Sequence, residues 1–263
     1  TTLIRIFCGL LKPDAGSCRV LGFDTVKEKM ALIRKIGYLS QRFSLYGDLS
    51  VEENINFFAE IHGVKGYAAR RKELLDYMDL ERFRGRLSGA LSGGMKQKLA
   101  LACTLIHTPE IIFLDEPTNG VDPVARRDFW DILAEVSAGG VTIVISTPYL
   151  DEAERCKRVA FMDGGKVITV ETPRGAKERF PGRLFEVIAE PLKKAYELAQ
   201  TAPGVASVQI FGDKIHAELT AQGDEAALRK ALDASVRVTQ FRAVKPTLED
   251  VFIRLLTERR RGA

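Results

Sequence analysis

Two carboxylates at the end of a short apolar run are the first residues in this chain that could do chemistry. In IIFLDEP, residues 111–117, four apolar residues lead into Asp115 and Glu116. A compact run of that kind reads as a strand buried on both faces, and the C-terminal ends of such strands are where open α/β sheets bind ligands. One carboxylate there can hold Mg²⁺ through water, and its neighbour can orient or deprotonate an attacking water. The same pair would also serve as an acidic surface turn after a core strand, and taken alone it does not choose between the two. A second stretch, LSGGMKQKLALA at residues 91–102, offers a helix start. Ser92 suits an N-cap, Gly93 and Gly94 leave backbone N–H groups uncovered, and Leu99, Ala102 and Leu105 supply an apolar side. Free N–H donors and the helix dipole together favour an anion such as phosphate. A glycine-rich helix start without any ligand is the plain alternative.

The elements that must position these groups can be read from the hydrophobic pattern. Residues 17–21, 36–40, 111–114 and 141–145 read as strands, the last two as buried strands of a parallel sheet. Between residues 51 and 90 the texture turns helical, with Leu74, Leu75, Met78 and Leu80 near helical spacing, so a helical lobe should occupy about 50–108. Residues 161–162 and 166–170 flank Asp163-Gly164-Gly165 as a hairpin. Beyond Pro173 the predicted order is β 184–189, α 192–200, β 205–211, β 214–219, α 225–232, β 236–241 and α 248–256. That βαββαβα order suggests a ferredoxin-like split-βαβ unit. The predicted fold class is therefore α/β over residues 1–175, followed by a small α+β domain over 184–263.

The two motifs together carry more than either alone. LSGGMKQ, with Ser92 lying 23 positions before Asp115, followed by IIFLDEP, closely resembles the signature and Walker B motifs of ATP-binding cassette (ABC) ATPases. The resemblance runs along the whole chain, and its closing TLEDVFIRLL, residues 247–256, is similar to that of ATPase subunits of ABC-2 type, drug-efflux-like exporters. It implies that Gln41 is the Q-loop glutamine that reaches Mg²⁺ and the attacking water, and that Asp122 in NGVDP is the D-loop aspartate. It also implies a catalytic role for Glu116 with Asp115 on the metal, and nucleotide contacts from Ser92, Gly93, Gly94 and Gln97. The opening TTLIRIFCGLLKPDAG resembles the segment just after the glycines and lysine of a P-loop, so Thr1 matches the Mg²⁺-ligating hydroxyl and Thr2 the next position. The glycine-rich turn, the lysine and the adenine-stacking aromatic are absent from the sequence, which also lacks a starting Met. The expectation is that the natural polypeptide extends upstream and that these 263 residues alone bind ATP weakly. VISTPYLDEAE falls at the family's switch loop, where a histidine usually bonds the γ-phosphate. Pro148 stands there, with neither a side-chain donor nor a backbone N–H.

The resemblance implies an ATP- and Mg²⁺-dependent ATPase on the cytoplasmic face of the membrane. It would pair head-to-tail with a second cassette, separate or fused, and drive ABC-2 type permease subunits docked near Phe43, Leu45 and Tyr46. Composition sets the limits of this reading. An apolar share of 46% and a charged share of 28% suit a globular chain with a full core. A net charge of +4 is too mild for a nucleic-acid binder, and Arg259-Arg260-Arg261 reads as a solvated tail. No apolar run reaches the ~18–20 residues that cross a bilayer. Cys8, Cys18, Cys103 and Cys156 lack CxxC spacing and read as reduced core thiols. The rival readings are a soluble ABC protein acting on ribosomes or DNA, which would typically show basic extensions or a coiled-coil insert, and a regulatory module that binds ATP but hardly cleaves it.

Overall fold

A computed structural model describes residues 1–41 and 45–261, and the chain divides into two compact units, Thr1–Pro148 and Tyr149–Ala263. Phe43 lies outside the described residues.

The first unit opens with helix α1 (Thr2–Phe7), whose Ile4 and Cys8 face a core with Ile36, Ile111 and Phe113. The single strand expected over 17–21 is not formed. Instead Leu21 and Gly22, at φ +51° and +84°, turn the chain back, so β1 (Arg19–Val20) pairs antiparallel with β2 (Phe23–Asp24). Helix α2 (Lys29–Ile33) leads to β3 (Ile36–Leu39). The helical lobe comes next as α3 (Val51–Ile61), α4 (Ala68–Tyr77) and, after two 3₁₀ turns, α5 (Gly93–Leu105). Ser50 and Glu53 form a reciprocal capping box at the start of α3, Oγ accepting from Glu53 N–H at 3.2 Å and Glu53 Oε2 from Ser50 N–H at 2.8 Å. Buried Asn54 exchanges hydrogen bonds with the Tyr46 backbone, which ties Tyr46 to α3. Leu74, Leu75, Met78 and Leu80 are all buried, as their spacing required.

Strand β4 (Ile111–Asp115) lies between β3 and β5 (Thr142–Ser146), parallel to both, with α6 (Pro123–Ala138) as the crossover. As the central strand it is buried at every position, which is why IIFL carries no alternation. Helix α5 crosses β3 so closely that a Cβ on Gly37 would sit 2.5 Å from Thr104 Cγ2. Only glycine accommodates that approach.

The second unit begins with α7 (Leu150–Ala153) and the antiparallel hairpin β6 (Val159–Asp163) and β7 (Lys166–Glu171), followed by α8 (Pro173–Glu178). Then come β8 (Arg183–Glu190), α9 (Leu192–Thr201), β9 (Val205–Phe211), β10 (Lys214–Leu219), α10 (Glu225–Asp233), β11 (Arg237–Val244) and α11 (Leu248–Arg261). The four strands form an antiparallel sheet ordered β11-β8-β10-β9, which is the ferredoxin-like arrangement expected from the sequence. Phe185, Val187, Ile215 and Ala217 fill one face with Ala195, Ala199, Leu228 and Leu232 of α9 and α10. The intervening Glu186, His216 and Glu218 point the other way, as period-two alternation dictates. The hairpin belongs with this unit because Val159 and Phe161 pack on Leu248 and Val251 of α11.

Candidate functional site

Asp115 ends β4, and the ladder pairs it with Ser146, the last residue of β5. Ser146 Oγ donates to Asp115 Oδ1 at 2.7 Å. Asp115 is 1% exposed, and its Oδ2 is buried without a hydrogen-bond partner among the described residues. A buried carboxylate oxygen left open is costly unless something with protons or positive charge meets it. Thr1 lies beside it, its backbone nitrogen 3.6 Å from Oδ1. A carboxylate at a strand end with one oxygen pinned and one open, next to a hydroxyl residue, fits a hydrated Mg²⁺.

Glu116 is the next residue, at φ +47°, a conformation that costs a residue with a Cβ about 1–3 kcal/mol and is often found at functional sites. Its backbone N–H donates to both the carbonyl and the Oγ of Ser146, each at 3.1 Å. The side chain leaves the strand direction, and its Oε2 accepts from Gln41 Nε2 at 2.8 Å and from Asn119 Nδ2 at 3.2 Å. The structure thus brings together Thr1, Gln41, Asp115 and Glu116, residues far apart in the chain. Sequence reasoning missed Ser146 and Asn119. The signal that could have found Ser146 is strand alignment, since the residue just after one apolar run lies opposite the residue just after its parallel neighbour's.

A second group forms where two helices begin. Ser92 N-caps α5, its Oγ accepting from Met95 N–H at 3.3 Å. Asp122 N-caps α6, its Oδ1 accepting from the N–H groups of Val124 and Ala125 at 3.1 and 2.9 Å, with Pro123 in the first turn. The two starts meet at Gly94, where an added Cβ would lie 2.6 Å from the Ala125 Cβ. Ser92 and Gly93 are exposed, so their side chain and backbone are open to an approaching ligand. Neither Ser92 nor Asp122 bonds to the carboxylates among the described residues. Gln97 faces inward, 1% exposed, with both amide atoms unpartnered among the described residues. Thr2 is exposed at the start of α1, and Pro148 is exposed two residues beyond Ser146.

Comparison with known proteins matches these features. The family model described as ABC transporter matches residues 1–119, and that of the ATP-binding protein DrrA1-3-like C-terminal domain matches residues 172–256. The probable multidrug ABC transporter ATP-binding protein YbhF of Escherichia coli K12 is 41% identical over 97% of this chain and 45% of its own length. The chain therefore spans less than half of that relative. The daunorubicin resistance ATP-binding protein DrrA3 of Streptomyces coeruleorubidus is 34% identical over 99% of this chain and 84% of its own. Among solved structures, an ATP-binding subunit of an ABC transporter superposes with a TM-score of 0.61 at 29% identity, over 68% of this chain and 76% of that one. An ATP-binding cassette seen as a dimer in a post-hydrolysis state with ADP and Pi gives 0.58 at 29% identity, over 65% and 79%.

Proposed function

The chain belongs to the ABC transporter ATP-binding proteins with a DrrA-like C-terminal domain, and on that footing we propose that it is the ATP-hydrolysing part of an ABC-2 type drug exporter. Members of this family bind ATP. The observation that carries the reading is the meeting of Gln41 and Glu116 at 2.8 Å beside the half-open Asp115. Glu116, which accepts from Gln41 and Asn119, would take a proton from water, and Gln41 would orient that water. Asp115, with Thr1, would hold Mg²⁺, which when bound supplies charge neutralisation at the phosphates.

Ser92, Gly93 and Gly94 would cover the ATP of a second cassette, with Asp122 beside them. Gln97 lies one turn further into the helix and would support that surface from behind. Thr2, next to Thr1, would face the same nucleotide as Asp115. The first unit, Thr1–Pro148, would carry the ATP chemistry, and residues 184–263 of the second would regulate or support pairing. The expected boundary at 175 gives way to one at Pro148, because the hairpin packs on α11. Exposed Tyr46, tied to α3 through Asn54, and Leu45 would receive permease subunits, an arrangement with the protein peripheral at the membrane's cytoplasmic face. Among the described residues no helix is long and apolar enough to cross a membrane.

One observation favours a slower variant of the same reading: the switch position is Pro148, which has no donor to give. The discriminating measurement is steady-state ATP turnover by the full-length protein, with and without Glu116→Gln. Loss of the base should lower turnover by ~10²–10⁴ and accumulate an ATP-bound pair. Equal rates in parent and variant would show that Glu116 is not the catalytic carboxylate.

A further inference from the structure

Ser146 makes three hydrogen bonds to two consecutive acidic residues whose proposed tasks differ. Its hydroxyl gives its proton to Asp115 Oδ1 at 2.7 Å, and the same oxygen accepts the Glu116 N–H at 3.1 Å. Its carbonyl accepts that N–H too, at 3.1 Å. The parallel ladder places Ser146 directly opposite Asp115, so no loop rearrangement is needed for these contacts. We propose that Ser146 is a positioning residue for ATP hydrolysis, which fixes the metal-side carboxylate and the base against each other.

The proposal rests on the ATPase reading above and extends it to a residue to which the motifs assign no role. Two consequences of the geometry carry it. By occupying Oδ1, the hydroxyl selects the Asp115 rotamer that leaves the buried Oδ2 without a hydrogen-bond partner among the described residues, the oxygen that metal-bound water would meet. By gripping the Glu116 N–H from two sides, Ser146 also holds a backbone at φ +47° that would otherwise relax toward the strand. A relaxed Glu116 would turn away from Gln41 and Asn119. Neither effect touches the nucleotide, so Ser146 should influence the chemical step and the metal requirement more than ATP affinity.

The experiment compares full-length parent, Ser146→Ala and Ser146→Thr proteins for kcat, KM for ATP and the Mg²⁺ concentration at half-maximal rate. Threonine keeps the hydroxyl and suits a strand end. Loss of a hydrogen bond to a charged group should lower kcat of Ser146→Ala by about 10- to 100-fold. The half-maximal Mg²⁺ should rise about threefold or more, with KM for ATP within about twofold of the parent. Ser146→Thr should recover most of the rate. An unchanged Ser146→Ala, a loss confined to KM, or equal damage in both variants would each overturn the proposal. Should the parent bind nucleotide with Mg²⁺ but fail to cleave it, the ATPase reading falls while Ser146 is judged by binding. Mg²⁺-dependent binding must then weaken in Ser146→Ala and persist in Ser146→Thr. A parent that binds no nucleotide overturns both.

Discussion

Pro148 has no proton on its backbone nitrogen and no donor on its ring, and it occupies the exposed exit of β5 two residues past Ser146. A donor aimed at developing phosphate charge is commonly worth ~10²–10³ in rate. If Asp115 and Glu116 serve an ATP as proposed, that ATP should therefore be cleaved slowly. Under the proposed function, Ser92 and Gly93 of this chain would cover the opposite ATP, whose cleavage would depend on the partner cassette's own donor. That asymmetry favours two unlike or fused cassettes over a pair of identical crippled sites. Full-length protein with Pro148→His, assayed while the partner's Walker B glutamate is disabled, should turn over about tenfold faster or more than its parent. Fast hydrolysis by the parent, unchanged by the substitution, would show that Pro148 is no defect. The position of Asp115 and Glu116 at the end of a buried strand is legible in the sequence, because the compact apolar run before them is a local signal. Ser146 is not, because its importance comes from the strand beside it, and the φ of Glu116 has no signature in residue types.

At the scale of elements, a pair of histidines joins the helical lobe to the sheet. His62 closes α3, His107 lies two residues beyond α5, and their rings stack with centroids 3.9 Å apart and planes 2° apart. His107 Nε2 lies 2.9 Å from the Ile36 carbonyl, which can only accept, so that nitrogen carries the proton. Its Nδ1 is buried without a hydrogen-bond partner among the described residues. Burial, and then the neighbouring His62, push the His107 pKa down from 6.5 to about 4, and burial lowers that of His62. Between those two pH values the unfolded chain takes up a proton that the folded one refuses. Stability should then fall as pH drops from 6.5 toward 4, by up to about 3 kcal/mol for His107. Amide exchange across β3 and α5 should accelerate over that window in the parent and less so in His107→Gln. An identical pH slope in both would assign the acid sensitivity elsewhere. The elements themselves are largely readable from sequence, since IIFL and the spacing of Leu74, Leu75 and Met78 are local signals. The β1–β2 turn was misread as one strand because Leu21 at φ +51° is not a residue that announces a turn.

At the scale of the whole molecule, the closing TLEDVFIRLL works as a clamp within the second unit. Thr247 and Asp250 cap the start of α11 reciprocally: Asp250 Oδ2 accepts the Thr247 N–H at 2.8 Å and its hydroxyl at 2.7 Å, and Thr247 Oγ1 accepts the Asp250 N–H at 3.2 Å. Asp250 Oδ1 meets His216 Nδ1 on β10 at 2.8 Å, and Arg254 pairs with Glu218 on the same strand. Along its apolar side α11 stacks Phe252 on Phe161 of the hairpin at 5.4 Å. One helix thus fastens the hairpin to the ferredoxin-like sheet. Burial alone would raise the Asp250 pKa, but the His216 and Thr247 hydrogen bonds outweigh it and hold it below the usual 3.8. Hydrogen bonding from Lys214, opposed by burial and reinforced by Arg242, brings Glu186 from 4.5 down to about 2. Carboxylates depressed in this way stabilise the fold above their unfolded values, and that contribution drains as pH falls through the folded ones, here from about 4.5 toward 2. Asp250→Ala removes the cap and leaves His216 facing an empty place, a loss of about 2–3 kcal/mol in the local opening of α11. In the full-length protein this should speed amide exchange in α11 and β10 and weaken ATP-induced pairing of Glu116→Gln cassettes. Equilibrium ATP affinity should stay within about twofold of the parent, because the proposed nucleotide site draws on no residue of the clamp. A tenfold fall in ATP affinity would instead make the closing helix part of the nucleotide site.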